Sequence, residues 1–128
     1  MPVIKGHSYL WKDILSELEA EDSPPPFALH KGGAVVGFAL NRWQNPQAPA
    51  EILVGYGDCR EQMADVFIGQ GKAVPVLIRE TEADSLWLCL GDFKLSDWTD
   101  KPAEKNKRVK PFDIPGIYKI FFMEESTR

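Results

Sequence analysis

Thiol and imidazole chemistry is nearly absent from this chain. Its 128 residues include only two cysteines, Cys59 and Cys89, and two histidines, His7 and His30. Two cysteines make no disulfide framework, so a reducing, cytoplasmic setting is expected. They are too few for a tetrahedral cysteine zinc site, and neither histidine stands at ligand spacing from them. No metal and no cofactor is therefore expected. No apolar run approaches the roughly 20 residues of a membrane span. The opening MPVIKGHSYLW has none of the apolar length a secretory signal needs. Repeats and low-complexity tracts are missing too. The length suits one domain, residues 1–128, with a single core.

Basic residues are outnumbered, 15 against 19 acids, for a net charge of −4. That balance argues against a protein that coats nucleic acid indiscriminately. The charge is uneven, however. Residues 101 to 110, KPAEKNKRVK, carry five basic residues and one acid, net +4, which leaves −8 for the rest of the chain. Such a stretch reads either as a solvated surface loop or as a phosphate contact on an acidic body.

The remaining texture is that of an α+β protein. Leu10, Trp11, Ile14, Leu15 and Leu18 form one apolar stripe at helical spacing. Ser8 stands where a helix cap would, so a helix over 8–21 is expected. SPPP, residues 23–26, ends it as a stiff connector. From Phe27 to Glu124 the body is β-rich. AVVGFALN (34–41), EILVGY (51–56), AVPVLIRE (73–80), SLWLCLG (85–91), FKLSDW (93–98) and GIYKIFFME (116–124) read as short strands. TEAD, 81–84, reads as a hairpin turn. Residues 59–68 read as a short helix after the second strand, closed by Gly69. A small curled or barrel sheet is the expected architecture.

Catalytic patterns fail one by one. Cys59 follows a glycine turn and could begin a helix, but no family signature surrounds it and its only potential bases are the two distant histidines. The acids Asp58, Glu61, Asp65, Glu80 and Asp84 do not form the acid and acid-x-lysine pattern of a metal-dependent nuclease. VGYGD and IGQGK lack the spacing of a phosphate loop. The expectation is a non-catalytic module.

Binding chemistry fares better. Trp11 and Trp87 sit in apolar patterns and read as core. Trp43 stands in NRWQNPQAP, a polar, proline-broken loop after a strand. A large ring there is either a folded-back lid or a surface offered to a ligand. Asn41, Arg42, Gln44 and Asn45 surround it with donors and acceptors. The stretch VGYGDCRE, 54–61, places Tyr56, Asp58 and Arg60 at the end of the next strand. A ring, an amide and a carboxylate suit a planar heterocycle with polar edges, as an extracted base is. The same residues also suit a plain turn. If the two strands pair antiparallel, the Trp43 and Tyr56 groups fall at opposite ends.

The string as a whole resembles the small PUA-like, SRA-like domains that accompany HNH nucleases and other modification-dependent restriction systems. The resemblance is carried by Tyr9, Trp11, Asp13 and Ile14, by Asn45 to Gly57, by Val74 to Glu80 and by Trp87 to Lys94. It spans about residues 8 to 122. It implies a PUA-like/SRA-like curled barrel that reads modified DNA, of the 5-methylcytosine type, by flipping a base into an aromatic-walled pocket, as part of a phage-defence restriction system with a nuclease domain or subunit as partner. The relatives' Tyr-Asp-Gly element is matched by Tyr56, Gly57 and Asp58 with the last two exchanged.

The expected roles are these. Trp43 and Tyr56 stack on the base, and Asn41 and Asp58 read its edge. Arg42, Arg60, Lys105, Lys107, Arg108 and Lys110 meet phosphates. The alternative is an acidic protein-interaction module, an inhibitor or adaptor, supported by the −8 outside residues 101–110 and the acid-rich LSELEAED.

Overall fold

The computed structural model describes residues 3–21, 27–112 and 116–126, with the side chains of residues 110–112 outside that description. The elements run β1 (Ser8–Leu10), α1 (Trp11–Leu18), β2 (Ala28–Lys31), β3 (Ala34–Asn41), β4 (Glu51–Val54), α2 (Asp58–Gln70), β5 (Val74–Arg79), β6 (Leu86–Thr99), α3 (Pro102–Phe112) and β7 (Lys119–Glu125). The expected connector at 23–26 lies outside the described residues.

The strands form one mixed sheet in the order β2-β3-β5-β6-β7-β4, with β1 beside β6. β3 and β5 are parallel, which demands a crossover, and α2 lies in it. Every other pairing is antiparallel. β3 and β4 do not pair; β4 lies at the far edge, against β7. Yet Phe38 and Leu40 of β3 share a core with Ile52 and Val54 of β4. Side chains from near opposite edges meet because the sheet curls into an open half-barrel.

β6 makes that curl. The sequence around Gly91 and Asp92 reads as a break between two strands, but β6 continues through it for 14 residues. Val76 pairs with Gly91 and Leu77 with Cys89, so Leu90 is an extra, bulged residue. Gly91 adopts φ +115°, which a side chain would strain. A second irregularity falls between Leu95 and Asp97. Between them the bulges let one strand pair with β1 and β5 along its first half and with β7 along its second.

Both faces of the sheet are covered. α2 packs on one face, where Phe38, Phe67 and Phe121 meet edge-on or tilted at 4.9–6.4 Å. α1 packs on the other, where Ile14 is buried with Leu29, Ala39, Leu77, Trp87 and Cys89. Burial raises the pKa of Cys89 and keeps it a core thiol. Trp87 is buried, and Trp11 lies 5.4 Å from it, half-buried. Both are core, as their spacing predicts. α3 closes a third cluster over Leu53, Ile117 and Ile120.

Three further expectations differ. Gly69 does not close the helix after the second strand: α2 runs on to Gln70, and Gly71, at φ 66°, closes it. Ser8 does not cap a helix. It begins a strand paired with Leu88, and the helix starts at Trp11 after an extended, uncapped Leu10. The edge of β6 offers these backbone groups hydrogen-bond partners that a lone cap cannot match. The helix stops at Leu18 because Glu19 turns left-handed, φ 53°. The basic stretch 101–110 is no loop either; it forms most of α3. Proline at the first helical position suits a helix start, and Glu104 meets Lys107 and Arg108 at helical spacing. The hairpin turn at TEAD is found as expected, closed by the Asp84 N–H to the Thr81 carbonyl, with the Asp84 carboxylate accepting from the Thr81 N–H.

Candidate functional site

The stretch 54–61 is the turn from β4 into α2. Gly57 holds φ 137° at the helix start, and the Glu61 carboxylate accepts its N–H at 3.0 Å. Asp58 and Glu61 sit in the first turn, where the helix dipole favours negative charge. Asp58 is exposed, and so is Cys59. Tyr56 projects from this turn with 56% of its surface exposed.

Tyr56 is one member of a row. Its ring meets Tyr118 edge-on at 6.1 Å, and the Lys105 ammonium stands 5.8 Å from its centre. Tyr118 donates its hydroxyl to Asp65 of α2. Lys119 pairs with Asp65 at 2.8 Å and lies between two rings, 4.9 Å from Tyr118 and 4.5 Å from Trp98. Trp98 is 37% exposed. The row thus runs Trp98, Lys119, Tyr118, Tyr56, Lys105: three rings and two cations, with the two tyrosines adjacent. Desolvation works against the charge on Lys119, but the hydrogen bonds and charges of Asp65 and Tyr118 outweigh it and raise its pKa.

Trp98, Tyr118, Lys119 and Asp65 were not legible as site residues. Trp98 pairs with Phe121, and cross-strand partners share a face. The bulge after Leu95 shifts the alternation and turns Trp98 onto the face of Leu95 and Phe121. Simple period-two reading sends it the other way.

Trp43 belongs to a different group. Its ring lies 5.3 Å from the Arg79 guanidinium, which stands 4.8 Å from Trp87. Asn41 is buried and engaged at both ends of its amide: its carbonyl oxygen accepts from Arg79 Nε at 3.3 Å, and its nitrogen donates to Gln44 at 3.1 Å. Trp87 lies in the cluster α1 covers, whereas Trp98 and Lys119 pair with Phe121 and Val54 of the cluster α2 covers. The structure therefore places Asn41 and Trp43 together at Arg79 and Asp58 at the Tyr56 turn, with the two groups against different core clusters.

Three of the six expected phosphate ligands are held by acids. Arg42 forks onto Glu80 at 3.2–3.3 Å and donates to the carbonyl of Ala48 at 2.8 Å. Arg108 forks onto Glu51, which raises its pKa, and reaches Glu104 too. Lys107 pairs with Glu104 at 2.9 Å. Arg60 and Lys105 make no ion pair among the described residues; Arg60 lies beside Gly55. The Lys110 side chain lies outside the described residues.

No group of three or more metal-ligating acids, cysteines or histidines occurs among the described residues. Nor is any described helix long and apolar enough to cross a membrane. The chain matches no family model, no curated protein and no solved structure.

Proposed function

We propose that this chain is a non-catalytic module that binds nucleic acid through the row from Trp98 to Lys105, with an unstacked base laid on Tyr56. One observation carries the reading: an exposed ring, Tyr56, flanked by a second ring and by an ammonium that no carboxylate holds among the described residues. Base–aromatic stacking beside backbone-seeking cations is how proteins take single strands and extruded bases. On this surface Lys105 and Arg60, neither in an ion pair among the described residues, are the cations that would meet phosphates. A modified base, of the 5-methylcytosine type, is the preferred form of the ligand, on the sequence's resemblance to PUA-like, SRA-like readers. A nuclease domain or subunit of a restriction system is then the natural partner.

The test is a fluorescence-anisotropy titration at one moderate salt concentration. The probes are a single strand, an unmodified duplex and the same duplex with 5-methylcytosine. Tighter binding to the modified duplex supports the full reading. Equal binding to both duplexes and tighter binding to the single strand keeps the stacking surface and removes the modification. Absence of binding to all three sinks the proposal.

A second reading has its own observation. Arg42, Arg108 and Lys107 are paired with Glu80, Glu51 and Glu104, which leaves fewer free cations on a chain of net charge −4. An acidic module for a basic protein partner fits that balance. It predicts flow-through on a heparin column, where the first reading predicts salt-sensitive retention.

A further inference from the structure

Two arginines and one carboxylate meet at the end of β3 and β5, and the carboxylate serves only one of them. Glu80 is taken by Arg42 through both its oxygens. Its neighbour Arg79 has no acid partner among the described residues. Only Asn41 accepts from its guanidinium there, and only at Nε.

Everything else about Arg79 holds it still. In the sheet, β5 lies between β3 and β6. Arg79 pairs in register with Asn41 of β3, and Trp87 of β6 follows on the other side. Trp43, just past β3, and Trp87 therefore flank the guanidinium at 5.3 and 4.8 Å. Trp11 backs Trp87 at 5.4 Å. Arginine stacks on rings in this way without losing its in-plane donors. The two terminal nitrogens remain. Arg79 is half-buried, and its hydrogen bond to Asn41 is at Nε alone, so the fork's outer edge is the part left for a ligand.

We propose that Arg79 is a preorganised oxyanion fork, and that its ligand is the phosphate of a nucleotide. A guanidinium with its Nε edge tied back presents its remaining donors in the planar geometry that fits phosphate oxygens two at a time. Its side-chain entropy is already lost on folding, so little more is lost on binding. The exposed indole of Trp43, 36% accessible, supplies the second half of the ligand's description: a flat surface next to the fork, suited to a base. A phosphate joined to a planar ring satisfies both. The site stands apart from the Tyr56 row and does not rest on it.

Calorimetric titration of the whole chain tests this, with adenosine, adenosine 5′-monophosphate, inorganic phosphate and a short single strand with and without a 5′-phosphate. The monophosphate binds, and adenosine without phosphate binds at least about tenfold more weakly, as loss of a charged hydrogen-bonded pair implies. Arg79→Lys keeps the charge, loses the fork and weakens the monophosphate by a similar factor, with circular dichroism unchanged. Tyr56→Ala leaves monophosphate binding as it was. If only the 5′-phosphorylated strand gains from Arg79, the source is a strand end; if both strands gain equally, it is an internal phosphate; if neither gains, it is a free nucleotide. Should Arg79→Lys fail to fold, Trp43→Ala decides, since loss of the exposed ring must weaken the monophosphate. Failure of the wild-type chain to bind the monophosphate overturns the assignment. So does undiminished binding by the folded Arg79→Lys or Trp43→Ala variant. Loss of binding in Tyr56→Ala overturns it too, by returning the phosphate to the other surface.

Discussion

Arg108 of α3 holds Glu51 of β4 with both ends of its fork, Nε to Oε1 at 2.7 Å and Nη2 to Oε2 at 3.1 Å. Both side chains are mostly buried, with 14% and 23% exposed. A paired fork in such a place costs little while intact and much when one half is removed. Arg108→Ala is expected to lower stability by roughly 1.5–3 kcal/mol, the range for charged hydrogen bonds. Urea unfolding measures it. The double variant with Glu51→Ala should cost less than the two single costs together, because each single change strands the other charge.

Glu104 answers to pH. Hydrogen bonds from Lys107 and Arg108 hold its pKa below the ordinary glutamate value. A depressed carboxylate favours the fold above its unfolded pKa, and that contribution fades as pH falls through the folded value. Glu104→Gln should therefore lower stability at neutral pH and match the wild type in acid. Lys119 runs the other way: its raised pKa favours the fold at neutral pH, and the contribution is lost as pH climbs through the folded value. Thermal melts across pH for wild type, Glu104→Gln and Lys119→Met read both signs.

Gly116 leaves room for Tyr56. A Cβ there would lie 3.1 and 3.2 Å from two atoms of the tyrosine ring. The ring is exposed and can swing aside. Gly116→Ala is thus expected to change stability by less than about 0.5 kcal/mol while displacing the stacking surface. Tyr56→Ala should cost about 1–3 kcal/mol in single-strand binding, and Gly116→Ala part of that. Lys105→Ala should lower the salt slope by about one, and Lys107→Ala by less, since Glu104 already pairs with it. Anisotropy at several salt concentrations checks all four; an unchanged affinity for Tyr56→Ala removes the surface from the account.

Gly37 is closed in on three sides. An added Cβ would meet Leu18 at 3.0 Å, the Pro75 carbonyl at 3.2 Å and Leu29 at 3.4 Å. The leucines can give; a carbonyl in the middle of the sheet cannot. Gly37→Ala is expected to cost about 1–3 kcal/mol by overpacking, read from the urea midpoint. Leu18→Ala in the same chain should return little of it.

The core was legible because hydrophobic spacing is a local property. Ile14, Leu15 and Leu18 at helical intervals, and β-branched runs such as Val74 to Ile78, specify elements whatever they later pack against. A glycine inside a strand pattern, as Gly37 is, signals a close backbone approach, and the Pro75 carbonyl makes one there. β1 and α3 were hidden for opposite reasons. Ser8 to Leu10 are extended only because β6 offers an edge, and the helix at 102–112 shows in charge pairing, not in an apolar stripe.

Residue types near the site were likewise visible, but not their company. The α+β class, the core stripe of α1, the turn at Tyr56 and the position of Trp43 in a polar loop all follow from local pattern along the chain. It took the packed fold to show that Asn41 and Arg42 are engaged within it, that Arg79 lies within 5.3 Å of two indoles with no acid partner among the described residues, and that Trp98, Tyr118 and Lys119 line up with Tyr56. The reason is physical. Periodicity along a chain sets which face a side chain takes, whereas two bulges in β6 and the pairing of β4 with β7 set which faces meet, and the β4–β7 partners lie 65 to 71 positions apart.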